Sequence, residues 1–202
     1  MKKLAESKAL DELQKLKTEY QSFIRTGYEH KAADCAICPT KGACCLDAHF
    51  VNVHITRLEA VAIAKTLRNL TGEKQREIYE RAVAAVEKYD LKSAGDTFEK
   101  TFACPLFEKG VGCLVHLSGK PAPCISHACY ERSEDLPPDF LQEEIENSIE
   151  KLNKKTYGGD LNQRAIPVWL DVINPYKNEI DKNIYPQMNT DKYEKYWRIN
   201  RD

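Results

Sequence analysis

Several things are missing from this sequence. No run approaches the roughly 18 consecutive apolar residues that a membrane span requires, so no membrane partner is expected. Neither charge is in surplus: 30 Lys and Arg stand against 31 Asp and Glu, a formal net charge of -1. That removes the electrostatic case for nucleic acid, which asks for a strongly basic face. The N-terminal MKKLAESKALDELQKLK has Lys2 and Lys3 but no apolar stretch behind them, unlike a signal peptide. The expected location is therefore a reducing cytoplasm. No phosphate-binding loop, dinucleotide fingerprint or Ser/His/Asp triad can be found. Internal repeats and low-complexity segments are also absent.

What is present is cysteine. All eight lie between Cys35 and Cys129, spaced C-x2-C-x5-C-C and then C-x8-C-x10-C-x4-C. The stretch CAICPTKGACC alone holds Cys35, Cys38, Cys44 and Cys45. A free cysteine usually packs as a small hydrophobe, which accounts for one or two such residues and not for eight clustered ones. In an exported chain they would suggest disulfides. In a reducing compartment the same thiols point to metal.

The hydrophobic pattern places these cysteines between helices. Leu10, Leu13, Leu16, Tyr20, Phe23 and Ile24 recur at helical steps and predict an amphipathic helix over 4–28. FVNVHI (50–55) alternates like a half-buried strand, with Asn52 and His54 facing away from Val51, Val53 and Ile55. Thr56 and Glu59 form a capping box that opens a helix over about 57–70. Another is predicted over about 73–89, with Tyr79, Ala82, Val83, Val86 and Tyr89 on one side, and a loop over 92–100. CPLF (104–107) and CLVH (113–116) flank a glycine turn and predict a β-hairpin. Helices follow over 137–155 and from Pro167. The expected fold is mainly α with a small β element: a loop-rich, metal-organised cysteine core flanked by helices. The expected division is an N-terminal helix packing on the core (1–34), a cysteine domain (35–130), a helical extension (131–174) and a polar tail (175–202).

Cys35-Ala-Ile-Cys38 is the strongest local unit, because two intervening residues allow a knuckle with both sulfurs on one ion. A thioredoxin-like pair would need a helix opening right after the first thiol, whereas here Cys38 is followed by Pro39 and a loop. Cys44 and Cys45 are adjacent, and adjacent side chains diverge. Two sites, a polynuclear cluster, or one ligand with a supporting thiol would accommodate them. Cys104, Cys113, Cys124 and Cys129 complete the candidate ligand set. His127 is a possible imidazole donor, and Asp47 and His49 are the best candidates for any catalytic base. Prolines beside Cys38, Cys104 and Cys124, with the adjacent pair, tip the cofactor expectation toward an iron–sulfur cluster over Zn2+. The function expected is metal binding through cysteine. The alternatives are a structural zinc module for protein interaction, with a protein partner held by the N-terminal helix or the tail, or a metal-dependent enzyme.

CAICPTKGACC, the VHITRLEA step and CPLFEKGVGCLVHLSGKPAPC together resemble the CxxCxxCC family, the YkgJ-like cysteine cluster proteins described as zinc- or iron-chelating domains. The resemblance covers about 35–130. It rests on Cys35, Cys38, Cys44, Cys45, Thr56, Glu59, Cys104-Pro105-Leu106, Gly112-Cys113 and Pro121 to Cys124. The first loop is three residues longer than the family pattern. Lys120 replaces the usual Arg before the proline, Val115-His116 replaces an apolar-Tyr step, and Cys129 is an additional thiol. The resemblance implies a chelated zinc or iron. A related cluster occurs in flagellin lysine methylases, iron–sulfur enzymes using S-adenosylmethionine. The present chain has no glycine-rich strand-turn for that cofactor, so that activity is not implied.

Overall fold

The computed structural model describes residues 3–34, 42–46, 51–91, 97–158 and 163–179. Its elements, in chain order, are α1 (Glu6–Gly27), β1 (His54–Ile55), α2 (Arg57–Leu67), α3 (Gly72–Lys88), β2 (Phe107–Glu108), β3 (Gly112–Cys113), α4 (Ala122–Ser126), α5 (Asp139–Tyr157), β4 (Arg164–Ala165) and α6 (Ile166–Val172). The fold is mainly α with two small antiparallel sheets, β1–β4 and β2–β3.

Helix α2 is the shared wall. Its start is fixed by the capping box: Thr56 Oγ1 accepts from the Glu59 N–H at 3.3 Å, and Glu59 Oε2 accepts from the Thr56 N–H at 3.2 Å. A second cap comes from α5, where Asn153 Oδ1 accepts the Leu58 N–H at 3.0 Å. On one side Ala60, Ile63 and Leu67 join Ile78, Tyr79, Ala82 and Val83 of α3 and Ile166, Trp169 and Leu170 of α6 in one buried cluster. On the other side Leu58 joins Ala9, Leu13, Tyr20 and Ile24 of α1, Ala122 and Ile125 of α4, and Ile145, Ile149 and Leu152 of α5. Burial of these apolar faces is the main stabilising term for helices of this length.

Several expectations shift. Of the strand predicted over 50–55, Phe50 lies outside the described residues, and within 51–55 only His54–Ile55 form a strand, pairing with Ala165 and Arg164. His54 does not face outward. Its ring stacks on Phe98 with centroids 3.9 Å apart, and its Nε2 lies 3.0 Å from Thr97 Oγ1. A remote strand and the turn Thr97–Glu99 give it polar and aromatic partners that local alternation does not reveal. The hairpin forms, but its ladder lies closer to the turn than the two apolar runs suggest, with Phe107 opposite Cys113 and Glu108 opposite Gly112. Residues 122–126, to which the sequence pattern assigns no element, make the short helix α4. The start of the expected tail is held down: Tyr176 packs on Tyr79, and Arg76 pairs with Glu179 at 2.9 Å. Helix α1 buries Ala9, Leu13, Lys17, Tyr20 and Ile24, whereas Phe23, assigned to the apolar stripe, is 50% exposed.

Candidate metal centre

Three chain segments carry Cys44, Cys45, Cys104, Cys113 and Cys124 into one neighbourhood. The first is the single turn Ala43–Cys45. Gly42 starts it in a left-handed conformation (φ 84°), and its carbonyl accepts the Cys45 N–H at 2.8 Å. Only glycine fits there: a Cβ would lie 1.9 Å from Cζ of Phe107. The second segment is the hairpin. Cys104 stands at its root, its N–H donating to the Cys45 carbonyl at 2.8 Å, and Cys113 lies in the facing strand. The third is α4, where the Pro121 carbonyl accepts the Cys124 N–H at 3.0 Å.

The thiols act on one another electrically. Cys45 is pushed far above the ordinary thiol value, first by its hydrogen bond with Cys44, then by burial and by Cys104, Cys44 and Cys113. Burial is the main cause of the rise at Cys104, with Cys113 and Cys124 adding to it. Burial also raises Cys113, which feels Cys44 as well, and pushes Cys124 up to about 12, with a contribution from Cys113. Crowded, desolvated thiols resist ionising together unless a cation shares the space. Cations do stand beside them: Arg81 acts on Cys104, Lys120 on Cys113 and Cys124, and Lys17 on Cys124. Arg81 is fully buried, and its guanidinium donates to the Phe107 carbonyl at 2.7 Å.

Not every candidate joins this group. Cys129 is exposed, and its carbonyl accepts the Ala33 N–H at 2.8 Å, two residues before Cys35 in the chain. None of the six described cysteines is in a disulfide. Cys35, Cys38, Asp47 and His49 lie outside the described residues. Among the described residues no group of three or more Cys, His, Asp or Glu side chains is arranged to hold a metal ion. His127 lines a cavity of about 220 Å³ with Ser126, Tyr130 and Gln142, and burial lowers its pKa, with Lys120 acting in the same sense.

The sequence reading missed the support behind the thiols. Glu59 does more than cap α2: its Oε1 accepts the Ala122 N–H at 3.1 Å and stands 3.7 Å from Lys17 Nζ. One carboxylate thereby joins α1, α2 and α4 next to Cys124. A signal existed, because Lys17 sits four residues after Leu13 and three before Tyr20, on the buried stripe. Arg81 follows Ile78 by three in the same way.

Thiols are the donors that a soft metal or a thiolate-bound cluster takes, and buried positive charge adjoins them here. No family model, no curated protein and no solved structure matches this chain.

Proposed function

We propose that this chain is a cysteine-ligated metal-binding protein carrying an iron–sulfur cluster or zinc, with the cluster preferred. One observation carries the reading. Cys44, Cys45, Cys104, Cys113 and Cys124, from three separate segments, act on one another through space. The ligand set proposed draws on all eight cysteines, with Cys35 and Cys38 supplying the knuckle that the described thiols lack by themselves. Both members of the adjacent pair interact with the other thiols, Cys45 with Cys104 and Cys44 with Cys113. Five thiols exceed the four that close a single zinc site, which supports a polynuclear cluster. A reducing cytoplasm suits thiols kept for this purpose. The proposed family is the YkgJ-like one, on the motifs given above. When bound, the metal would supply folding energy to loops that cross-link poorly through apolar contact alone.

The test is the metal content and visible spectrum of anaerobically purified protein. Iron with matching acid-labile sulfide and a brown colour supports the cluster. One or two zinc ions in colourless protein would replace it with a structural zinc module and turn attention to a protein partner. Protein that holds neither metal, as purified or after reconstitution, sinks the proposal.

A further inference from the structure

Helices α1 and α5 leave an open groove of about 360 Å³ between them. Leu16 and Phe23 of α1 and Leu141 and Ile145 of α5 line it, and Phe23 is 50% exposed. Glu19 and Glu144, both exposed, edge it from either helix. Glu19 stands 3.9 Å from the exposed Lys15, a loose surface pair. Helix α5 carries Asp139, Glu143, Glu144, Glu146 and Glu150 before its first base, Lys151. The groove therefore has an apolar floor and acidic edges. That chemistry suits an amphipathic segment whose apolar face is flanked by bases.

This chain's own sequence holds such a segment. Residues 180–202 lie outside the described residues. Within them, KYEKYWRINR (192–201) spaces Tyr193, Tyr196 and Trp197 at steps of three and four. In helical register the three rings share a face, bordered by Lys192 and Lys195 on one side and by Arg198 and Arg201 on the other. Four bases against Glu194 alone give the segment a formal charge of +3.

We infer that residues 192–201 of one copy seat in the α1–α5 groove of a second copy, reciprocally, to make a symmetric dimer. The inference needs no metal and stands apart from the function proposed above. Reach favours a second copy over the chain's own groove. Glu179, the last described residue, pairs with Arg76 of α3. Helix α3 packs on one side of α2, and α1 and α5 pack on the other. The twelve residues 180–191 extend to about 40 Å at most. That is about the width of a domain this size, and a path around the surface is longer than the width. Opposite charges at the edges make the association weaken as salt rises.

Sedimentation velocity of the full chain over a concentration series gives the dimer dissociation constant. Two double variants reverse the charges: Glu19→Lys/Glu144→Lys in the groove and Lys192→Glu/Arg201→Glu in the segment. Each alone is expected to raise the dissociation constant by about 10- to 100-fold. Trp197→Ala should do the same, and it keeps the test in force if the groove variant does not fold, which circular dichroism checks. Mixed in equal amounts, the reversed-groove and reversed-segment chains should dimerise again, because each segment then meets a groove of opposite charge. A wild-type chain that stays monomeric at every concentration overturns the inference, as does a dimer that none of these variants weakens. Failure of the mixed chains to dimerise overturns it too, because seating in a second copy requires that rescue.

Discussion

The ring of Phe107 lies directly over Gly42, so close that a Cβ on Gly42 would come within 2.8 Å of three ring carbons. This contact locks the turn that presents Cys44 and Cys45 to the strand that pairs with Cys113. Gly42→Ala meets both a positive φ and a buried ring. It is expected to cost about 2–4 kcal/mol in urea unfolding. The double variant Gly42→Ala/Phe107→Leu should recover part of that loss by relieving the clash. Equal losses in single and double variants would mean the ring does not constrain the turn.

Metal removal should be felt as loss of structure. Exhaustive chelation of loaded protein is expected to lower the melting temperature by several degrees, and Cys104→Ser and Cys113→Ser should each lower both metal content and melting temperature. The readout is metal analysis beside thermal unfolding. Full metal content in the Cys113→Ser protein would remove that residue from the ligand set.

Trp169 reaches across the fold to donate its indole N–H to the Ile55 carbonyl at 2.8 Å. Trp169→Phe preserves most of the ring and leaves that buried carbonyl with one partner fewer. A loss of about 1–3 kcal/mol is expected, read as a lower urea midpoint with unchanged slope. A smaller loss would show that water reaches the carbonyl.

Glu146 on α5 titrates above the ordinary glutamate value, chiefly through burial, with Glu59, Glu150 and Glu143 adding to the shift and Gln142 opposing it. A carboxyl raised in the folded state binds its proton more tightly there than in the unfolded chain. Its contribution therefore favours folding at low pH and is lost as pH rises from the unfolded value through the folded one. Glu146→Gln should raise the melting temperature at pH 7 and lose that advantage below about pH 4. An advantage of equal size at both pH values would trace the effect to packing.

Much of the scaffold was legible in local pattern. The capping box at Thr56 and Glu59 and the glycine turn between Cys104 and Cys113 are short-range signals, and each has its counterpart in the structure. What local pattern could not carry is pairing across distance. Nothing near His54 and Ile55 announces Ala165 and Arg164 as their strand partners, and nothing near Glu59 announces the Ala122 N–H. The stripe of α1 was read by hydrophobicity, which favours Leu16 and Phe23 over Lys17. The structure buries Lys17 beside the Glu59 carboxylate, 3.7 Å from its Nζ, while Leu16 packs partly buried on the same cluster and Phe23 is exposed. For the candidate site, the sequence supplied the sulfur donors, and the cations around them came only with the fold.

The pairing of β1 with β4 also sets an order of events. Every cysteine is made before β4 and α6, the elements that close the cluster around Ile55, Ile63 and Tyr79. A growing chain therefore holds all of its thiols before it has the last wall of its core. Oxidation of the thiols and completion of the fold compete within that interval, and which comes first is decided by residues far downstream of the sulfurs.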